Sequence, residues 1–152
     1  MREILFRGKD LETGRWYEGY YMALSDTTYC FKGDYDAHPD NTKHYIVFDQ
    51  MTDWGLPNRH LKADVDSETV GQYTGLKDKN GKRIFEGDLV VPTGPRRLTN
   101  RPQLVTYSPV SGYWMCDPRR DPLVVGNIYD DPGLLAVCND HHDPEPLKEN
   151  HE

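Results

Sequence analysis

The stretch Val70-Gly71-Gln72-Tyr73-Thr74-Gly75-Leu76-Lys77-Asp78-Lys79-Asn80-Gly81-Lys82-Arg83-Ile84-Phe85-Glu86-Gly87-Asp88-Leu89-Val90 decides how this sequence is read. Residues 70–76 mix β-branched, aromatic and apolar side chains. Residues 77–82 are polar, and Arg83-Ile84-Phe85 is a second short run. Two such runs around a polar turn predict a β-hairpin. Asn80-Gly81 sharpens the expectation, because a type I′ turn needs positive φ at both central residues and Asn-Gly adopts it at least cost. Glu86-Gly87-Asp88 breaks the chain, and Leu89-Val90-Val91 predicts a further strand before Pro92. Asp88 is expected to bond backbone amides at that break, as a short carboxylate does in turns.

Outward from this hairpin the chain keeps the same character. Upstream, residues 3–7 and the aromatic-dense residues 15–22 read as strands around the turn residues 10–14. Residues 27–31 and 44–48 are further strand candidates, with a polar loop at 32–43. Residues 49–68 show no clear period and read as a linker. Downstream, residues 92–102 form a polar loop with three prolines and three arginines. Residues 103–107 and 112–116 read as a hairpin around Ser108-Pro109-Val110-Ser111, and residues 123–125 as one more strand. Asp130-Asp131-Pro132 is a helix start, with Pro at the first helical position. Residues 139–152 are polar. Short strands at roughly ten-residue spacing between 83 and 129 suggest a small barrel or sandwich.

Composition agrees with a β protein. The 152 residues hold 10 Tyr, 13 Gly and 11 Pro. Alanine, the best helix former, occurs only at positions 23, 37, 63 and 136, which argues against a helical bundle. No apolar run approaches the roughly 20 residues that cross a bilayer, so no membrane partner is expected. The opening residues are charged too early for the apolar core of a secretory leader. Cys30, Cys116 and Cys138 are odd in number and far apart. That pattern does not make a disulfide framework, and the expected compartment is the cytoplasm.

Motifs for catalysis are missing. There is no G-x-S-x-G elbow and no phosphate-cradling glycine loop. Cys30 and Cys116 fall in strand-like runs, where a buried inert thiol is the expectation. Cys138-Asn139-Asp140-His141-His142 crowds possible ligands, yet no second cluster completes a metal site. Carboxylate pairs such as Asp64 with Asp66 are ordinary among 25 acidic residues. No catalytic residue, metal or cofactor is expected, and the chain does not read as an enzyme.

Charge is the one pattern that points outward. Net charge is −7. Residues 1–76 hold 8 basic and 13 acidic side chains, residues 77–120 hold 9 and 4, and residues 121–152 hold 1 and 8. The basic middle includes Arg96, Arg97, Arg101, Arg119 and Arg120, with Tyr107 and Trp114 on strands between them. Arginines beside aromatics on a small barrel make a candidate surface for single-stranded nucleic acid, by stacking and phosphate attraction. The competing reading is that the acidic flanks offset the block within the molecule. The interface is then apolar, on a barrel edge or on the aromatic strand around residues 16–22, and takes a protein partner or a second copy.

Three stretches carry a family resemblance. Met1-Arg2-Glu3-Ile4-Leu5-Phe6-Arg7-Gly8-Lys9 is the first, residues 65–90 are the second, and Gly126-Asn127-Ile128-Tyr129-Asp130-Asp131-Pro132-Gly133-Leu134-Leu135 is the third. In this order they resemble the YopX family of phage and prophage proteins, with Gly133 departing from the family pattern. The resemblance implies a β-rich N-terminal part and a C-terminal SH3-like barrel, and supplies no catalytic residues. The resulting expectation is a mainly β protein with an N-terminal lobe over 1–63, an SH3-like barrel over 64–140 and a polar tail over 141–152. It is expected to act as a phage-derived accessory protein through protein binding or self-association, with nucleic-acid binding through the basic segment as the alternative.

Overall fold

The computed structural model describes residues 3–38, 41–51, 54–94, 101–110, 113–114 and 121–134. Strand β1 (Phe6–Lys9) and β2 (Trp16–Ser25) form the first hairpin. A short helix, α1 (Lys32–Asp36), leads to β3 (Thr42–Met51), which pairs with β2 and with β4 (Pro57–Asp64). A 3-10 turn at Ser67–Thr69 precedes β5 (Gly71–Lys77) and β6 (Arg83–Phe85). Strands β7 (Asp88–Pro92), β8 (Gln103–Leu104), β9 (Tyr107–Ser108), β10 (Tyr113–Trp114) and β11 (Pro122–Asn127) follow. Residues 132–134 are helical, with Pro132 in first position as its fixed φ favours. The protein is mainly β, and among the described residues every pairing is antiparallel.

The larger sheet has the order β4-β3-β2-β1-β5-β6. Strand β1 pairs with β2 on one side and β5 on the other. One sheet therefore runs across the 63/64 position, and the segment before it shares backbone bonds with the segment after it. The smaller sheet has the order β11-β7-β8, and β9 pairs with β10. Among the described residues these pairings do not close into a ring.

Three apolar clusters hold the sheets. Ile46, Ala63 and Val65 lie under one face of β2–β4, packed by Phe6, Tyr17, Tyr21 and Phe48. Leu5, Tyr73 and Phe85 fill the space between β1, β5 and β6. Ile84, Val90 and Val105, with Leu76 and Val124, join β6 to the smaller sheet. Fully burying an aliphatic or aromatic side chain of this size contributes roughly 1.5–3 kcal/mol.

The central hairpin forms where the sequence places it, with a different turn. Gly81 has φ +84°, but Asn80 does not have positive φ. The Gly81 amide donates to the Asp78 carbonyl at 2.9 Å and the Asp78 amide to the Lys82 carbonyl at 2.8 Å. This is a three-residue loop, a type I turn followed by a left-handed glycine, and not the expected type I′. The Asp78 carboxylate selects it by accepting from the Asn80 and Lys82 amides at 2.8 and 2.9 Å. Gly71 answers to a second constraint, since a Cβ there would lie 2.4 Å from the Glu86 carbonyl oxygen.

Two expectations are corrected upstream. Residues 27–31 are not a strand, and the Cys30 thiol is exposed instead of buried. Residues 57–64, read as part of a linker, are the edge strand β4. Its inward positions, Leu61 and Ala63, are too small a signal beside His60, Lys62 and Asp64 on the wet side. An edge strand with one solvated face needs no stronger apolar pattern.

Candidate functional site

The most densely bonded polar group sits where the first hairpin meets the C-terminal segment. The Arg7 guanidinium lies between the rings of Trp16 and Phe85, 4.6 and 4.9 Å from their centres. One of its terminal nitrogens donates to the Asp88 carboxylate at 2.7 Å, and the second Asp88 oxygen accepts the Phe85 amide at 2.8 Å. Both side chains are buried, and Arg7 Nε has no partner. Beside them Asp130 accepts from Lys9 Nζ at 2.7 Å, Trp16 Nε1 at 2.6 Å and Asn127 Nδ2 at 2.8 Å. The Asn127 bond first, and then Lys9 and Trp16, outweigh partial burial and hold the Asp130 carboxyl down at about 2. Burial, reinforced by the Glu86 charge, raises the nearby Tyr129 hydroxyl. Its ring packs on Trp16 and approaches Gly87.

This group ties the N-terminal hairpin to the later part of the chain. Asp88 and Asp130 are occupied by bonds within the chain. Asp78 is similarly engaged: burial pushes its carboxyl up, but bonds from the Lys82, Asn80 and Val124 amides outweigh it and leave it lowered. Among the described residues, no three or more His, Cys, Asp or Glu side chains are arranged to hold a metal.

The outward chemistry lies elsewhere in the larger sheet. Successive β2 side chains alternate between faces. Gly19 and Tyr21 face the Ile46 cluster, so Tyr20, Met22 and Leu24 share the other face, where they are 66, 37 and 50% exposed. Across from them on β3 stand Val47, Tyr45 and Lys43. Lys62 Nζ lies 4.3 Å from the Tyr45 ring centre, a cation on an aromatic face at the margin of the row. Further large apolar side chains stand out at the β3–β4 connection: Met51, Trp54 and Leu56.

The sequence-derived nucleic-acid surface is described in part. Arg101 is exposed, and Tyr107 is 47% exposed on β9. Trp114 of β10 stands opposite Tyr107 in the register, so the fold brings these two positions together. Arg96, Arg97, Arg119 and Arg120 lie outside the described residues. The exposed row on β2 was visible in the sequence as an aromatic-rich strand. Period-2 alternation assigns alternate residues to opposite faces, but only the placement of the Ile46 cluster says which face is wet.

Comparison with known proteins bears on the fold. A family model described as YopX protein matches residues 5–136. No curated protein matches the chain. Among solved structures, the crystal structure of protein EF1440 from Enterococcus faecalis is similar, with a TM-score of 0.46. That likeness is 24% identical and covers 89% of this chain and 99% of that one. No helix among the described residues is long and apolar enough to cross a membrane. The family match spans most of the chain, covering residues 5–9 of the first stretch that carries the resemblance and all of the other two, and the chain belongs to the YopX family.

Proposed function

We propose that this is a phage- or prophage-derived accessory protein of the cytoplasm that works by binding a protein or its own copies, and not by catalysis. The observation that carries this reading is the row Tyr20, Met22 and Leu24, three large side chains exposed on one face of β2. Single exposed apolar residues are ordinary, whereas a contiguous set on a flat sheet face marks an interaction surface. The satisfied carboxylates at Asp88, Asp130 and Asp78 support a binding role over an acid–base one. We read residues 64–140 as a small SH3-like barrel. In support, β6, β7, β8 and β11 enclose the Ile84, Val90 and Val105 cluster, and the Val124 amide of β11 reaches the Asp78 carboxylate. Exposed Tyr107 and Arg101 favour nucleic acid as the second reading.

Site-specific photo-crosslinking tests the proposal. A benzoylphenylalanine at position 20 is expected to give protein adducts in the producing cell, while one at exposed position 12 gives none. Adducts from position 20 that disappear on nuclease treatment, or equal labelling from both positions, would overturn it.

A further inference from the structure

We propose that Asn80 is a site of spontaneous modification: the Gly81 nitrogen attacks its carboxamide, and the isoaspartate that forms unfastens the hairpin loop from β11. This stands apart from the binding reading above. Of the asparagines in the chain, Asn80 alone precedes a glycine. The following residue must bring its nitrogen onto the side-chain carbonyl carbon, and a Cβ would obstruct that approach. Asn80 and Gly81 are both exposed, and nothing lies within 4 Å of where a Gly81 Cβ would stand. Among the described residues no group bonds the Asn80 carboxamide; only its backbone amide is engaged, by Asp78. Asn127 is the opposite case. Its side-chain oxygen accepts the Tyr129 and Asp130 amides at 2.9 Å each, its nitrogen donates to the Asp130 carboxylate at 2.8 Å, and the β-branched Ile128 follows it.

The step needs only water. The Gly81 nitrogen gives its proton to hydroxide and bonds to Asn80 Cγ. The Cγ–Nδ2 bond breaks, and Nδ2 leaves as ammonia with a proton from solvent. Water then opens the five-membered imide. Cleavage at Cγ gives aspartate at position 80, and cleavage at the main-chain carbonyl gives isoaspartate, whose chain runs through Cβ and Cγ. The folded loop sets the pace. The Gly81 amide donates to the Asp78 carbonyl at 2.9 Å, so it becomes a nucleophile only when the loop opens locally. The same loop sets the consequence. Asp78 accepts the Asn80 and Lys82 amides at 2.8 and 2.9 Å and the Val124 amide of β11 at 3.4 Å, and the Lys79 amide donates to the Pro122 carbonyl at 3.1 Å. Isoaspartate lengthens the main chain between 80 and 81 by one carbon and sets a new carboxylate near that of Asp78. The Asn80 and Lys82 amides then no longer converge on one oxygen, and the tie to β11 loosens.

Incubation of the full chain in warm, mildly alkaline buffer, folded and in parallel unfolded in urea, tests the inference. Peptide mapping by mass spectrometry locates the amide-to-acid exchange, and enzymatic methylation of isoaspartyl carboxylates counts the rearranged product. In the folded chain Asn80 is expected to convert to a mixture of isoaspartate and aspartate, more slowly than in urea, while Asn127 stays intact over the same period. Asn80→Ala should abolish the conversion in this segment. Asp78→Ala removes the acceptor of two loop amides and should speed it about tenfold in the folded chain, because local opening becomes easier. Hydrogen exchange at the Lys79 and Val124 amides should quicken in the isoaspartyl form. Asn80 that stays intact in the folded chain while it converts in urea would overturn the inference, and so would aspartate as the sole product or unchanged exchange at Val124. These three outcomes are read on the wild-type chain and hold whether or not Asp78→Ala folds.

Discussion

Replacing Asp88 with Ala tests the clamp between the two halves of the chain. Asp88 is 1% exposed and holds two donors, the Arg7 guanidinium at 2.7 Å and the Phe85 amide at 2.8 Å. Without it, a guanidinium whose Nε already lacks a partner stays buried between Trp16 and Phe85 with no counter-charge. Removing one member of a buried ion pair costs about 3–5 kcal/mol, and stranding a buried amide about 1–3 kcal/mol. The two overlap, so the expected loss is about 4–6 kcal/mol, a large share of the roughly 5–15 kcal/mol that holds a domain together. Urea unfolding reads it as a midpoint lowered by about 2 M or more, given a slope near 2 kcal/mol per molar. Asp88→Asn keeps an acceptor for the Phe85 amide and isolates the charge. The double variant Arg7→Met/Asp88→Ala should lose less than the two single losses combined, because removing the cation removes the stranded charge. A loss below about 1 kcal/mol for Asp88→Ala, or strict additivity, would refute the reasoning.

Other outcomes follow from the same geometry. Gly71→Ala should cost more than about 1 kcal/mol in chemical denaturation, because the new Cβ would lie 2.4 Å from a backbone oxygen that only strand movement can displace. Gly81→Val should also cost more than about 1 kcal/mol, since a β-branched residue resists φ +84°, whereas Asn80→Ala should be milder because Asn80 does not have positive φ. The Asp130 carboxyl is held at about 2, below its ordinary 3.8, so its contribution is complete above pH 4 and disappears as pH falls through 2. The melting difference between wild type and Asp130→Asn should shrink over that window, and a constant difference would show that the Lys9 and Trp16 bonds are not made in solution. In a gel shift with single-stranded DNA, the protein-binding reading expects no salt-sensitive complex. A complex that weakens steeply with salt, and whose salt slope flattens by roughly 0.7 per arginine on replacing Arg101 or Arg97, would favour nucleic acid instead.

The electrostatic asymmetry bears on that last experiment. The excess of basic residues in 77–120 is partly engaged, since Arg83 pairs with both Glu3 and Glu18 of the acidic N-terminal segment. The same pattern holds in reverse at Lys9, which pairs with Asp130 of the acidic C-terminal segment. These exposed pairs add little stability. They do show charge of one segment meeting opposite charge of another, the arrangement that competes with a phosphate footprint.

Local signals in the chain specify the elements that form from near neighbours. The 70–90 hairpin, the β1–β2 hairpin, β3 and β7 follow from alternation and turn residues within a few positions, and the YopX resemblance follows from the same stretches. Even there, which turn forms was decided by Asp78, whose carboxylate bonds the Asn80 and Lys82 amides and favours a left-handed Gly81 alone. Strand β4 was legible only weakly, because an edge strand with one wet face buries little beyond Leu61 and Ala63. Contacts between residues far apart in the chain settle the rest. Arg7 and Asp88 are 81 residues apart and become a buried pair because β1 lies against β5. Cys30 is exposed in a segment that joins no strand. Tyr20, Met22 and Leu24 carry the same apolar character as Tyr17 and Tyr21. They face outward because the Ile46 cluster occupies the other side of β2, and which of two alternating faces is buried is a property of the packed sheet and not of the strand.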